Sequence, residues 1–329
     1  MKVLVTGASG LLGSSVARVL AERGDDVSVF QRRPSGVPSV AELPGDVTDP
    51  DAVAAAVTGH DAVVHLAARV AVTGPWSSFA SVNIDGTRNV IDAVRAARAA
   101  RLVYVSSPSV AHHGRALVGA GSDPADPARA RGHYSRSKAV GELLALAADD
   151  ARVAVVAVRP HLVWGPGDTR LIAPILKRAQ AGRLALIDHG AALVDSTYVT
   201  NAAEAIVAAL DRADAVHGRS FVISNGQPRT IAELVTRICQ AAGLPAPRLR
   251  VPYPLAAVAG DLVGTLWTVL GRDDPPLTRF LAEQLATAHW FDQRQTREVL
   301  GWTPRVDLDE GFSRLAAHLR GARPREPRC

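Results

Sequence analysis

Val3-Leu4-Val5-Thr6-Gly7-Ala8-Ser9-Gly10-Leu11-Leu12-Gly13 decides how this 329-residue chain folds. The apolar run reads as a strand buried on both faces. From Leu11 to about Arg23 apolar residues recur at helical spacing, and Gly24 ends them. A strand, a turn with glycines at 7, 10 and 13, and then a helix is an arrangement that cradles a pyrophosphate. Gly7 permits the turn, Gly10 lets backbone approach phosphate, Gly13 lets helix and strand pack closely, and the helix N-terminus faces the anion. An ordinary strand–turn–helix junction is the alternative.

The alternation continues outward. Residues 27–30, 62–66, 102–105 and 153–158 read as strands, and 51–57, 83–100 and 134–148 as helices. This predicts an α/β fold: a Rossmann-type doubly wound parallel sheet whose nucleotide-binding core spans residues 1–160. After Arg159-Pro160 the segments shorten, broken by Gly165-Pro166-Gly167-Asp168 and Asn225-Gly226-Gln227-Pro228. Residues 161–319 are expected to mix the last strands with a smaller, mostly helical substrate lobe. Residues 320–329, Arg-rich and broken by Pro, are expected to form a disordered basic tail.

An apolar fraction of 47% with 21% charged residues fits a soluble globular protein. The net charge of +5 comes without a basic stripe interleaved with aromatics, so no nucleic-acid role is expected. Cys239 and Cys329 form no disulfide framework, which fits a cytoplasmic location. Residues 255–270 are the most apolar stretch but too short to span a bilayer. They read either as a helix packed on the core or as an apolar surface that covers a lipophilic substrate, grazes a membrane or meets a partner enzyme.

The second predicted strand ends in Gln31-Arg32-Arg33, without the carboxylate that would accept from ribose hydroxyls. Two cations there favour the 2′-phosphate of NADP(H). Solvated loop charges and use of NAD(H) are the alternatives. Asp46 reads either as an acceptor for the adenine amino group or as a turn former. Ser106 and Ser107 follow the strand 102–105, and Ser109 is close by. Tyr134 and Lys138 stand four apart on a predicted helix and so share a face. An ammonium beside a phenol favours phenolate and draws its pKa toward neutrality. With the glycine turn, the pair points to transfer of a hydride and a proton between a nicotinamide and an alcohol or ketone. The histidines match no zinc spacing, and no metal is expected. His133 and His161 flank the region where substrate would lie.

Taken in order, Thr6-Gly7-x-x-Gly10-x-x-Gly13, Asp46-Val47-Thr48-Asp49, His65-Leu66-Ala67-Ala68, Asn83-x-x-Gly86-Thr87-x-Asn89, Tyr104-Val105-Ser106-Ser107, Tyr134-x-x-x-Lys138 and Arg159-Pro160 resemble the extended short-chain dehydrogenase/reductase superfamily. The resemblance implies that Ser107, Tyr134 and Lys138 form the catalytic triad, with Asn83 near it. Tyr134 would move the proton, Ser107 would polarise the substrate oxygen, and Lys138 would hold the nicotinamide ribose and depress the Tyr134 pKa. It further implies that Gly7, Ser9, Gly10, Leu11, Leu12, Gly13, Arg32, Arg33, Asp46, Val47, Leu66, Ala67, Ala68, Pro160, His161 and Val163 contact the nucleotide.

Within the superfamily, 276–280, Trp290-Phe291-Asp292 and Leu300-Gly301-Trp302-Thr303-Pro304 are similar to the 3β-hydroxysteroid dehydrogenase group, which includes bacterial 2-alkyl-3-oxoalkanoate reductases of olefin biosynthesis. That implies reduction of a C3 ketone on a lipophilic acid, with a 3β-hydroxysteroid as the second substrate, and the departure at Gln31, where the sterol enzymes carry an Asp, turns the expectation toward NADPH. Arg159, Arg170 or Lys177 would pair with the carboxylate. A nucleotide-sugar epimerase or dehydratase, and a non-catalytic NADP(H) sensor, are the other classes. The loop 121–132 lacks the Glu usual in the sugar-nucleotide enzymes. A homodimer through the helices that start at Asn83 and Tyr134 is also expected.

Overall fold

The computed structural model describes residues 1–270 and 275–321. Seven strands form one parallel sheet: β1 (Lys2–Thr6), β2 (Asp26–Gln31), β3 (Ala41–Pro44), β4 (Ala62–His65), β5 (Arg101–Val105), β6 (Ala154–Pro160) and β7 (Arg219–Ile223). Their order is β7-β6-β5-β4-β1-β2-β3. The order reverses between β1 and β4, and in such sheets ligands bind beyond the strand C-termini at that point.

Helices cover both faces. On one lie α1 (Leu11–Glu22) and, late in the chain, α5 (Val199–Asp211); on the other lie α2 (Pro50–Val57), α3 (Gly86–Ala97) and α4 (Gly132–Ala147). Val3 and Val5 pack with Val16, Leu20, Ile206 and Leu210, while Leu4 between them packs with Val53, Val90 and Val94. Successive residues of β1 therefore enter opposite cores, which is why the strand reads as unbroken apolar sequence. Each fully buried Val or Leu contributes roughly 1.5–3 kcal/mol. Asp49 caps α2, its Oδ1 accepting from Asp51 N (3.0 Å) and Ala52 N (3.1 Å), with Pro50 at the first helical position.

The helix expected over 83–100 differs. Helix begins earlier, at Trp76–Ala80, widens to a π-turn over Ser81–Asp85, and continues as α3, which stops at Arg98 in the left-handed region (φ +57°). A π-turn inserts a residue that hydrophobic periodicity does not register.

The chain leaves the sheet at Pro160, and residues 199–223 return to it as α5 and β7. The rest forms a lobe with its own core of Trp164, Ile172, Leu234, Ile238, Phe312 and Leu315. Its sheet joins Arg229–Thr230, Leu193–Val194, His289–Phe291 and Leu117–Ala120. The last of these was not expected, because the strand it pairs with, His289–Phe291, lies far along the sequence. The residues expected as a basic tail lie outside the described residues from 322 onward, while 320 and 321 end the helix Leu308–Gly321.

The apolar stretch 255–270 falls on the helix Tyr253–Val269 and the residue after it. Ala256, Ala257 and Gly260 are buried, and a Cβ on Gly260 would meet the Thr278–Arg279 backbone. Leu255, Val258, Leu262, Leu266 and Leu270 are each more than half exposed. Among the described residues no helix is long and apolar enough to cross a membrane.

Candidate active site

The glycine turn leaves β1 at the switch point. Gly7 has φ +78°, and a Cβ there would lie 2.8 Å from the Ala67 backbone. A Cβ on Gly13 would strike the Gly7 carbonyl. Gly10 starts α1 with no side chain capping it. Backbone N–H groups at a helix start, in a cradle that side chains would fill, fit a dinucleotide pyrophosphate. Ser9 is exposed in this turn, and Leu11 and Leu12 open the helix half-buried.

A buried hydrogen-bond chain joins this turn to Tyr134. Thr6 Oγ1 accepts from Leu66 N (3.2 Å) and Ala67 N (3.1 Å), which fixes the segment Leu66-Ala67-Ala68 after β4. It also meets His65 Nδ1 at 2.8 Å. Thr87 Oγ1 donates to Asn83 O (2.8 Å), so it accepts from His65 Nε2 (3.2 Å), and the Thr6 hydroxyl donates to Nδ1. Burial, reinforced by the Lys138 charge, lowers the His65 pKa to about 3. Asn83, in the π-turn, accepts from Arg69 N (2.7 Å) and donates to Arg69 O (3.1 Å) and Ser137 Oγ (2.9 Å). Ser137 in turn donates to Tyr134 O (2.9 Å). Asn83 thus positions the start of α4.

Ser107 and Tyr134 come together in the wall of one cavity, where the Ser107 hydroxyl acts on the phenol and favours its ionised form. Ser107 also caps the short turn Pro108–Ala111, accepting from Ser109 N at 3.3 Å. Ser107 and Ser109 line a cavity beside Tyr134, and Ser106 does not. Lys138 is buried, donates to Val105 O (2.7 Å) and lies 4.1 Å over the Tyr104 ring. Its pKa falls to about 7 because burial disfavours the ammonium, with Glu142 acting against this. The Tyr134 phenol is pushed up, not down, from its ordinary value: burial dominates over the opposing Ser107 hydrogen bond and Arg170 charge. Lys138, turned to Val105 O and the Tyr104 ring, is not among the groups that act on the phenol, so the expected lowering by Lys138 is not found.

At the end of β2, Gln31 Nε2 donates to Glu42 Oε2 at 2.8 Å. Glu42, on β3, is a carboxylate that the sequence pattern at Gln31 did not reveal. Arg32 and Arg33 are exposed, and Arg32 Nη1 stands 3.6 Å from Asp46 Oδ2. The other Asp46 oxygen accepts from Thr48 N (3.0 Å) and Thr48 Oγ1 (2.9 Å), so Asp46 forms the turn and keeps one oxygen toward Arg32. Val47 is buried and its carbonyl accepts from Asn89 Nδ2 (2.9 Å).

The cavity, about 330 Å³, opens from Ser107 and Tyr134 into the lobe. Its wall is mostly apolar, with Leu171, Ile175, Leu234, Ile238, Phe280 and Phe312 among the residues that form it. Pro160 and His161 line it; Val163 does not, lying instead in a short strand paired with Thr197–Tyr198. His133 is exposed, held at Gly74 O (3.0 Å) against Trp76, away from the cavity. Sequence reasoning missed His289 and Gln284, which the lobe sheet and the helix Arg279–Ala286 bring to His161 and His112. His289 Nε2 donates to Gln284 O (2.9 Å), so its Nδ1 accepts from His161 Nε2 (2.9 Å). His112 Nε2 donates to Arg115 O (3.0 Å), and Nδ1 accepts from Gln284 Nε2 (3.0 Å). Burial lowers the pKa of all three imidazoles.

These shifts have one sign for stability. His65, His112, His161 and His289 bind protons more weakly folded than unfolded, so their contribution is complete above the ordinary imidazole pKa and lost as pH falls. Lys138 adds a rise in stability between about pH 7 and its unfolded pKa. The melting temperature is therefore expected to drop on acidification from pH 7.5 to 5. A flat or rising profile in thermal unfolding would refute neutral buried imidazoles.

The NAD dependent epimerase/dehydratase family model matches residues 3–224. A 2-alkyl-3-oxoalkanoate reductase of Stenotrophomonas maltophilia is 42% identical over 96% of this chain and 99% of its own length. A 3β-hydroxysteroid dehydrogenase/Δ5→4-isomerase of Mycobacterium tuberculosis is 31% identical over 92% of this chain and 86% of its own. Among solved structures, MoeE5 in complex with UDP-glucose and NAD is similar at 25% identity and a TM-score of 0.76, covering 98% of this chain and 99% of that one.

Proposed function

The chain belongs to the NAD dependent epimerase/dehydratase family and is an NAD(P)-dependent oxidoreductase; from that premise we propose that it reduces the C3 ketone of a bulky lipophilic substrate, a 2-alkyl-3-oxoalkanoic acid, with NADPH. The observation that carries this reading is the apolar cavity that ends on Ser107 and Tyr134. Its polar groups are few, as in sites that hold a greasy ligand by apolar contact and orient it by a small number of polar groups.

The bound nicotinamide supplies the hydride. The Ser107 hydroxyl holds the ketone oxygen beside Tyr134, and the phenol gives it a proton as negative charge develops. A phenol pushed above its ordinary pKa carries its proton at neutral pH, the form that donates when a ketone is reduced. In this reading Lys138, buried one turn further along α4, holds the nicotinamide ribose. A nucleotide-sugar substrate would need polar partners along the cavity, where this wall is mostly apolar. A 3β-hydroxysteroid is the second reading, favoured by the sterol-enzyme relative. Action in the cytoplasm as a homodimer through α3 and α4 belongs to the same proposal.

NADPH oxidation with a 2-alkyl-3-oxo acid tests the reading, beside the oxidation of dehydroepiandrosterone with NADP⁺. Turnover of the acid supports it; turnover of the sterol alone moves the chain to the steroid dehydrogenases. The nucleotide preference has its own expected result. Replacing Arg32 and Arg33 together by Ala removes the cations that would meet a 2′-phosphate, and the KM for NADPH should rise about tenfold or more while that for NADH stays within about twofold. An equal rise for both nucleotides would refute the assignment.

A further inference from the structure

A 3-oxo acid carries its carboxylate one carbon away from the ketone carbon. When the ketone oxygen meets Ser107 and Tyr134, the carboxylate must sit beside them, and an anion left there without a partner is costly. Among the described residues, none that lines the cavity carries an Asp, Glu, Lys or Arg side chain, and the three imidazoles are engaged with one another, Gln284 and Arg115 O. The cation must therefore come from outside the wall.

Of the three cations suggested by sequence, two are placed elsewhere. Arg159 is 1% exposed and spent on Glu142 (Nε to Oε2, 2.9 Å) and Asp123 O (2.6 Å). Lys177 is exposed on the helix Ile172–Gln180, outside the cavity wall, and is not among the charges that act on the Tyr134 phenol. Arg170 is likewise exposed and does not itself line the cavity, but its backbone is held against it. Asp168, buried in the Gly165–Asp168 turn, accepts from Arg170 N (2.6 Å) and Leu171 N (2.9 Å), which fixes the backbone on both sides of the Arg170 side chain. The next residue, Leu171, lines the cavity. The guanidinium reaches the segment after β4, where Nη1 donates to Val70 O, and its positive charge acts on the Tyr134 phenol. One carbonyl occupies one donor of a five-donor fork, whose geometry matches a carboxylate in bidentate fashion.

We propose that Arg170 holds the substrate carboxylate beside Tyr134 and is the residue that makes this site select an acid over a neutral ketone. The assignment rests on the reading of the substrate as a 3-oxo acid. It makes Arg170 a specificity-determining residue: it orients C1 while Ser107 and Tyr134 take the C3 oxygen, and the alkyl chains fill the apolar cavity.

The test is a calorimetric titration of a long-chain 2-alkyl-3-hydroxy acid and of its methyl ester into the wild type, Arg170→Gln and Arg170→Lys. NADPH is present, with which the alcohol cannot react, so binding is read apart from turnover. The wild type should bind the acid about 10- to 100-fold more tightly than the ester, the span expected of a hydrogen-bonded charge pair. Arg170→Gln should abolish that preference and leave ester affinity and NADPH affinity within about twofold, while Arg170→Lys restores part of it. Equal binding of acid and ester by the wild type would overturn the proposal. So would an acid preference that survives Arg170→Gln, or a loss shared equally by acid, ester and NADPH. If the acid preference follows Arg170 but no nucleotide is consumed with the 3-oxo acid, the proposed reaction fails and the carboxylate site stands.

Discussion

Tyr134→Phe is expected to lower kcat for ketone reduction by about 10²–10⁴-fold, the range that a positioned proton donor supplies. Without the phenolic proton the developing alkoxide keeps only the Ser107 hydroxyl. The variant should fold normally, because the residue's backbone place in α4 is fixed through its carbonyl by Ser137, not through the phenol. Nucleotide KM should stay unchanged, since the glycine turn, Arg32 and Lys138 are untouched. Steady-state kinetics with both substrates varied checks this. A Phe variant with kcat within a few fold of wild type would mean that the proton comes from another group in the cavity wall, such as His161.

The largest effect on stability is expected at Arg159. Arg159 and Glu142 are buried to 1% and 0% exposure, joined by Nε–Oε2 at 2.9 Å and Nη2–Oε1 at 2.5 Å. Arg159→Met leaves the Glu142 carboxylate buried without its partner and Asp123 O without its donor. Breaking a buried pair from one side costs about 3–5 kcal/mol. The urea midpoint should fall accordingly, and the double variant Glu142→Gln/Arg159→Met should recover part of the loss. The acid-over-ester preference should remain in whatever fraction folds. Unchanged stability with a lost preference would return Arg159 to the role of substrate ligand that its position in the sequence suggested.

Local features were the legible ones. The glycine turn and the Tyr134–Lys138 spacing are defined within a few residues, where turn geometry and helical period leave a direct mark. The parallel sheet followed from the regular alternation of apolar runs with helical periods. What escaped the sequence depends on distant partners. Glu142 stands four residues after Lys138, yet nothing local pairs it with Arg159, so Arg159 read as a free cation. The strand Leu117–Ala120 and the His161–His289 contact arise when remote segments join the lobe sheet. The phenol's upward shift is likewise a property of burial, which a motif does not encode.

Reduction with NADPH carrying deuterium at nicotinamide C4, on the face that is transferred, and mass analysis of the product tests the central claim most directly. The account predicts one deuterium at C3 of a 2-alkyl-3-hydroxy acid, formed by the wild type and nearly absent with Tyr134→Phe. A product without the label at C3, or an unchanged 3-oxo acid with the nucleotide intact, would contradict it.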